Sequence, residues 1–162
     1  LIKIKYPNIS ISLNTTLERG CIIRCSDNSQ ISLSNSIVSS GAIINADHGG
    51  VISIENSFIG RNCVIVARER IQIASDCQIA EMVVIRDQNH NFGDKTKTID
   101  AQGFTTSPII INRNVWLAAK VTVTAGSSIG ENAIVGANAV VRGVLDTNSL
   151  YAGVPAQKIK SF

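Results

Sequence analysis

The sequence predicts an all-β fold, a parallel β-helix in which short strands wind into triangular coils. The first observation is a six-residue period, because an aliphatic residue opens six successive blocks, at Ile111, Leu117, Val123, Ile129, Val135 and Val141. A helix would repeat every 3.6 residues and a half-buried strand every 2, whereas a fixed period of six is typical of β-helix repeats. The second observation is composition: 44% of the residues are hydrophobic but only 4% are aromatic. A narrow coil interior accepts such an aliphatic core.

Each block of six is expected to form one strand and one corner, so that three blocks make a coil of about 18 residues. The aliphatic residue that opens a block should point inward and stack under its equivalent in the next coil. The predicted stacked pairs are Ile111 with Ile129, Leu117 with Val135, and Val123 with Val141. Glycine and asparagine tolerate the left-handed backbone of sharp corners, and they are expected there at Gly126, Gly130, Gly136, Gly143, Asn112, Asn114, Asn132 and Asn138.

The whole chain, residues 1–162, is predicted to form a single β-helix domain. Residues 1–58 alternate aliphatic residues with Ser and Asn and are expected to form less regular first coils, in which the register is kept by Ile31, Ile37 and Ile43. Regular coils are predicted over residues 59–146, and residues 147–162 are expected to cap the open end. Further inward positions are predicted at Ile59, Ile65, Ile73, Ile79 and Ile85.

A polar segment, residues 87–107, interrupts the repeat and is predicted to protrude from the coil as a loop. Insertions in repeat proteins often lie on the binding face. His90 stands in this segment, and a histidine is the natural general base at neutral pH. Its neighbours Asp87, Asn89 and Asn91 offer groups that would fix its tautomer. The second histidine, His48, has the sequence context of a corner residue.

Charge and cysteine usage exclude several classes of protein. The net charge is +3, and the basic residues neither cluster nor interleave with aromatic residues, so binding to nucleic acid is not expected. The four cysteines lack the spacing of metal ligands. Cys63 and Cys77 fall at small inward positions and are predicted to be buried free thiols, which favours a reducing cytoplasm. The sequence has no recognisable signal peptide or membrane-spanning run.

Three segments carry a resemblance to a known family: IAEMVVIRDQNHNF, QGFTTSPIIINRNVWLAAKVTV, and IVGANAVV followed by YAGVPAQKIK. They resemble the hexapeptide-repeat acyltransferases, most closely the branch that acetylates sugars in lipopolysaccharide, capsule or exopolysaccharide synthesis. The resemblance covers about residues 59–160. It implies a left-handed β-helix, a homotrimer with active sites between subunits, and acetyl-CoA as the donor, with no metal required.

The resemblance also implies roles for individual residues. His90 matches the family's catalytic histidine, and Trp116 matches the tryptophan that lines the tunnel between donor and acceptor. Ala119 and Ala137 match small positions whose backbone meets the pantetheine arm, and Arg142 and Lys160 match positions near the nucleotide end of coenzyme A. Asp87 and Asn89 are expected beside the acceptor. The chain departs from the family pattern at Ala118, where a glycine is usual, and at Gln157, where Lys or Arg is usual; both departures bear on donor affinity.

The resemblance therefore implies an acetyl-CoA-dependent O-acetyltransferase that acts on a sugar hydroxyl by direct transfer, with His90 as general base. Two alternatives stay open, an N-acetyltransferase of an amino sugar and a non-enzymatic β-helix scaffold. A metal hydratase on the same fold would need about three histidine ligands, whereas this chain has two histidines, His48 and His90. The sequence does not identify the acceptor sugar or the position acetylated.

Overall fold

The computed structural model describes residues 7–162, so the first six residues of the predicted first coils lie outside the described part of the chain. Over residues 7–162 the chain winds into a parallel β-solenoid with three long sheets, and the predicted all-β fold is confirmed. Strands are numbered in chain order, and each coil visits the sheets A, B and C in turn. None of the helices in the described residues has the length and apolar character needed to cross a bilayer.

The strands of each sheet follow one another along the solenoid axis. Sheet A contains β1 (Ile9–Ile11), β4 (Gln30–Ser34), β7 (Val51–Glu55), β10 (Arg70–Ile73), β15 (Ile109–Ile111), β18 (Ser128–Ile129) and β21 (Val144–Leu145). Sheet B contains β2 (Thr16–Leu17), β5 (Ile37–Val38), β8 (Phe58–Ile59), β11 (Gln78–Ile79), β16 (Trp116–Leu117), β19 (Ile134–Val135), β22 (Ser149–Ala152) and β23 (Gln157–Ser161). Sheet C contains β3 (Ile22–Cys25), β6 (Ile43–Ala46), β9 (Val64–Ala67), β12 (Val84–Arg86), β17 (Thr122–Val123) and β20 (Val140–Val141).

The predicted aliphatic ladders form the core. The pairs Ile111 with Ile129, Leu117 with Val135 and Val123 with Val141 stand in register on neighbouring strands, and all six side chains are buried. The inward positions predicted earlier in the chain are buried as well, at Ile59, Ile65, Ile73, Ile79 and Ile85. Because each coil donates its backbone hydrogen bonds to the next, neighbouring coils hold each other in place.

The register predicted for the first coils is wrong at two of its three positions. Ile31 is buried, but Ile37 is exposed and Ile43 is only half-buried, and the core positions are instead Val38 and Ile44. The five-residue strand β4 explains the shift, because it buries two alternate side chains rather than one. These coils are therefore longer than 18 residues, and the period of six is lost.

The predicted corners divide into two groups. Asn114, Asn132, Asn138, Gly126 and Gly143 have positive φ angles, as expected. The other predicted corner residues, Asn112, Gly130 and Gly136, do not have positive φ. At Gly130 the requirement is space, because an added Cβ would lie 2.5 Å from the backbone nitrogen of Thr147 in the next coil. Residues 147–162, predicted to form a cap, contain β22 and the antiparallel β23 that folds back on it.

Candidate active site

The polar segment 87–107 leaves the coil between β12 in sheet C and β15 in sheet A, and we call it the arm. The N–H of Ser107 donates to the carbonyl of Asp87 at 2.9 Å and joins the two ends of the arm. Beyond this base β13 (Gln88–His90) pairs antiparallel with β14 (Phe104–Thr106), and His90 stands opposite Phe104. A 3-10 helix, Asp100–Gln102, precedes β14. The predicted loop is thus a two-stranded arm with a closed base.

Asp87 ties the base of the arm to the preceding coil. Its side chain is fully buried, and its carboxylate accepts hydrogen bonds from the backbone N–H groups of Arg68, Glu69 and Arg70 at 2.9, 2.8 and 2.8 Å. Hydrogen bonds to an ionised acceptor are shorter and stronger than neutral ones. Both carboxylate oxygens of Asp87 are therefore engaged by the protein backbone.

His90 lies exposed at the end of β13 and lines an open groove of about 620 Å³. The other lining residues are Asn89, Asn91, Phe92, Gly93 and Thr105. The side-chain amide of Asn91, considered above as an orienting group for His90, instead donates to the carbonyl of Gln102 at 3.1 Å. Asn89 is exposed beside His90, so an imidazole and an amide share a groove that a solute can enter.

Gln88 lies on the same face of β13 as His90, because side chains two residues apart on a strand point the same way. Its Oε1 atom is buried and has no hydrogen-bond partner among residues 7–162. A buried acceptor without a donor costs free energy. This oxygen is therefore available to a water molecule or to the hydroxyl of a bound molecule.

Three of the residues predicted to contact the donor lie together on sheet B and on the corner that follows it. Trp116 is half exposed on the outer face of β16. Ala119 and Ala137 occupy equivalent corner positions in successive coils, and the N–H of Asn138 donates to the carbonyl of Ala119 at 3.0 Å. In an earlier coil the equivalent corner position is occupied by Arg61, which has a long side chain. Because Ala119 and Ala137 have short side chains, the corner backbone at these two positions is more accessible.

The backbone N–H groups of Ala119 and Ala137 have no hydrogen-bond partner within the described residues, 7–162. The neighbouring N–H groups are used inside the solenoid: Ala118 donates to Val135, and Lys120 donates to Glu81. The corners at Ala119 and Ala137 therefore present two free hydrogen-bond donors to a ligand beside sheet B.

The two predicted phosphate-binding residues are placed differently. Trp116, Ile134, Leu150 and Lys160 form one column across sheet B, in register from strand to strand. Since neighbouring strands lie about 4.8 Å apart, Lys160 is roughly 14 Å from Trp116 along the sheet. Arg142 instead follows β20 and lies at the corner between sheets C and A, on the side from which the arm leaves. The structure groups Lys160, but not Arg142, with the donor residues.

His90 and Trp116 start from different parts of the solenoid within one chain. The arm leaves the corner between sheets C and A, whereas Trp116 lies on the outer face of sheet B, which does not flank that corner.

One cluster, at the His90 end of the arm, was not predicted from the sequence. His48 was expected to be a corner residue, and it does have a positive φ of 54°. It also contacts the arm, since its ring meets that of Phe104 edge-on with 5.3 Å between ring centroids. The adjacent pair Asp47-His48 was visible in the sequence, but its contact with Phe104 could not be inferred from sequence spacing.

Cys63 and Cys77 are buried free thiols, as predicted. Burial raises the pKa of Cys63 to about 11 and also raises the pKa of Cys77. The Sγ–H of Cys63 donates to the carbonyl of Ala80 at 3.0 Å. Both cysteines serve as small core residues.

Comparison with known proteins agrees with the fold and the repeat. The bacterial transferase hexapeptide model, of six repeats, matches residues 108–143. The chain is 37% identical over 105 residues to the putative lipopolysaccharide biosynthesis O-acetyl transferase WbbJ of Escherichia coli, covering 60% of this chain and 54% of the relative. It is 35% identical over 91 residues to the probable acetyltransferase Rv3034c of Mycobacterium tuberculosis, covering 56% of this chain and 30% of the relative. The chain thus spans about half the length of the first relative and less than a third of the second.

Solved structures share the fold over nearly the whole chain. A mutant of the N-acyltransferase AntD from Bacillus cereus, in complex with dTDP and coenzyme A, superimposes with a TM-score of 0.82 at 22% identity, covering 98% of this chain and 88% of that one. A maltose O-acetyltransferase from Clostridium difficile 630 gives a TM-score of 0.65 at 23% identity, covering 98% and 73%. The comparisons therefore show hexapeptide repeats over residues 108–143, similarity to named acetyltransferases over little more than half of the chain, and a shared fold with the solved acyltransferases.

Proposed function

We propose that this chain is an acetyl-CoA-dependent O-acetyltransferase that acts on a sugar hydroxyl in the biosynthesis of a surface polysaccharide or another glycan. The observation that carries the proposal is His90, an exposed imidazole that lines an open groove on an arm whose base is held by buried Asp87. Further support comes from the relatives named as acetyltransferases, one of them assigned to lipopolysaccharide biosynthesis.

In the proposed reaction His90 is the general base. It removes the proton from the acceptor hydroxyl as that oxygen attacks the acetyl carbonyl carbon, and it then returns the proton to the departing sulfur. Acetyl-CoA supplies the activated thioester. The free N–H of Ala119 would donate to the oxyanion that develops on the carbonyl oxygen, as backbone donors do in other acyl transfers. A positioned base contributes about 10² to 10⁴ in rate.

The donor is proposed to lie along sheet B. The column from Trp116 to Lys160 provides an aromatic side chain near the thioester and a cation roughly 14 Å away for a phosphate group. Arg142 lies at another corner of its own chain, so a contact between Arg142 and the donor would come from the neighbouring copy.

We propose a homotrimer with each active site between two subunits. The outer faces of sheets B and C carry mostly apolar columns of exposed or half-exposed side chains, each with one polar residue inside it. Sheet B has Ile37, Phe58, Gln78, Trp116, Ile134 and Leu150, and sheet C has Ile22, Ile43, Val64, Val84, Thr122 and Val140. The outer face of sheet A is more polar, with Ser10, Ser32, Ser53, Gln72 and Ser128 in one column, although Ile110 and Val144 of that column are exposed. Contiguous exposed apolar surface marks contact sites. The free thiols and the use of acetyl-CoA fit action in the cytoplasm.

N-acetylation of an amino sugar is the second candidate. The same base would deprotonate an amine, and AntD of Bacillus cereus, which shares this fold, is an N-acyltransferase. Mass spectrometry of the products formed from acetyl-CoA and a panel of sugar and amino-sugar acceptors separates the two reactions. The amide of an N-acetyl product survives mild alkali, whereas the ester of an O-acetyl product is cleaved.

The shared site is tested by mixing two inactive variants. His90→Ala removes the base, and Ala137→Trp places a bulky side chain at an exposed donor corner. If the base and the donor corner come from different subunits, co-refolding equal amounts should restore about a quarter of the sites, because subunits combine at random in a symmetric trimer. Refolding each variant alone is the control. A mixture as inactive as its parents would contradict the shared site.

The alternative of a non-enzymatic scaffold is tested by the binding of acetyl-CoA. Acetyl-CoA at 100 times its dissociation constant should stabilise a binding protein by about 2.7 kcal/mol. A thermal shift of the wild type with saturating acetyl-CoA measures this effect. The absence of any shift, together with the absence of acetylated product, would favour a non-enzymatic scaffold.

A further inference from the structure

Four side chains form a cluster where the arm rests on the preceding coils, and we call it the Phe104 clamp: Asp47, His48, Arg68 and Phe104. The guanidinium of Arg68 lies over the Phe104 ring, with 4.0 Å from Cζ to the ring centroid. The ring of His48 meets the same aromatic ring edge-on at 5.3 Å. Phe104 is thus held on two sides by residues of the coils.

Asp47 joins the two residues that hold the ring. Its Oδ1 accepts a hydrogen bond from Nε of Arg68 at 2.8 Å and another from Nδ1 of His48 at 2.8 Å. Its Oδ2 accepts from the amide of Asn45 at 3.1 Å. Burial raises the pKa of Asp47, but these hydrogen bonds and the charge of Arg68 outweigh it, so the pKa ends below its usual range. Asp47 is therefore ionised at neutral pH and keeps both partners in place.

Phe104 is also the cross-strand partner of His90. Directly opposite residues of an antiparallel pair place their side chains on the same face, with Cβ atoms about 4.5 to 5.5 Å apart. The ladder between β13 and β14 has only three residue pairs, and an isolated two-stranded hairpin is marginally stable in water. The arm therefore needs anchors outside its own ladder at both ends.

Asp87 supplies the anchor at the base, and the Phe104 clamp supplies the one at the His90 end. We infer that the Phe104 clamp is a positioning device that fixes strand β13 against the coil and so sets the direction of the His90 imidazole. The inference rests on the proposed role of His90 and extends it to three residues of the coils, Asp47, His48 and Arg68. These residues act through Phe104 and need not touch the substrate.

The test combines amide hydrogen exchange with steady-state kinetics on full-length protein. Phe104→Ala should speed exchange at arm amides near the His90 end, such as that of Asn91, by about tenfold or more, while amides of the coil core keep their protection. It should lower kcat by about tenfold or more and leave KM for acetyl-CoA within about twofold, because base placement affects the transition state rather than donor binding. Arg68→Gln should show the same pattern to a smaller degree.

Two control variants separate positioning from general damage. Phe104→Tyr keeps an aromatic ring between Arg68 and His48 and should retain exchange rates and kcat close to wild type. Ile99→Ala removes an exposed apolar side chain from the arm away from the clamp and should change neither quantity.

The inference is overturned if Phe104→Ala leaves the arm amides as protected as in wild type, or if it loosens the arm while kcat stays unchanged. It is also overturned if Phe104→Tyr loses as much kcat as Phe104→Ala. A wild type that transfers no acetyl group would refute the proposed function. The hydrogen-exchange rates alone would then test whether the Phe104 clamp fixes the arm against the coil.

Discussion

Replacement of Asp87 by Asn tests whether the arm is anchored from inside the protein. The substitution keeps the shape of the side chain, so it creates no cavity, but it removes the charge and exchanges one oxygen for an NH₂ group. Three backbone N–H groups point at this carboxylate, and an amide has one acceptor oxygen for them. At least one of these N–H groups, which point at the buried side chain, therefore faces another donor.

The magnitude follows from these contacts. A buried donor that loses its acceptor costs about 1 to 3 kcal/mol, and the remaining hydrogen bonds lose the part that came from the charge. We expect Asp87→Asn to lower the free energy of unfolding by about 2 to 4 kcal/mol. For a chain of this length each kcal/mol shifts Tm by about 2 to 4 °C, so Tm should fall by roughly 5 to 15 °C.

Thermal unfolding followed by circular dichroism, with a urea titration beside it, measures the effect. Asp100→Asn is the matched control, because Asp100 is exposed in the 3-10 helix of the same arm and should change stability by less than about 0.5 kcal/mol. If Asp87→Asn unfolds at the same temperature and urea concentration as wild type, the three hydrogen bonds do not anchor the arm.

Two further predictions concern the solenoid itself. Because burial raises the pKa of Cys63 to about 11, only about 0.1% of this thiol is ionised at pH 8. A thiol reagent should therefore label half-buried Cys21 and Cys25 first, and should label Cys63 only as the pH nears 11 or after unfolding. Rapid labelling of native Cys63 at pH 8 would contradict its assignment as a buried thiol. Gly130→Ala should destabilise the protein by about 1 to 3 kcal/mol, since the new Cβ would lie within 3 Å of the backbone of residues 145–147. Gly93→Ala is the control, because there is open space around Gly93. Equal urea midpoints for both variants would show that the next coil does not crowd position 130.

The coils of residues 109–141 could be predicted from the sequence because one side chain per strand points inward and equivalent residues are 18 apart. Under those conditions the stacking partner of Ile111 is found by counting 18 residues to Ile129, and the structure agrees. The first coils break the second condition. Ile31 pairs with Ile52, 21 residues on, because β4 buries both Ile31 and Leu33, and the inward position moves from Ile37 to Val38.

The candidate site could be predicted only in part, for a related reason. His90 was identified by its place in a polar interruption, and the donor residues by resemblance to a family. The partners of the arm could not be found this way, because the distance in sequence from His48 to Phe104 depends on irregular coils and on the path of the arm. The role of Asp87 was also hidden, since the backbone N–H groups that it accepts from have no sequence signature.

The central claim is that His90 is the base for acetyl transfer, and the most direct measurement compares His90→Ala with wild type. Acetylated product is quantified by mass spectrometry at saturating acetyl-CoA, and the affinity for coenzyme A is measured on the same samples by calorimetry. The proposed mechanism predicts a drop in turnover of about 10² to 10⁴, with the affinity for coenzyme A unchanged within about twofold. A His90→Ala variant that acetylates the sugar at the wild-type rate would contradict it.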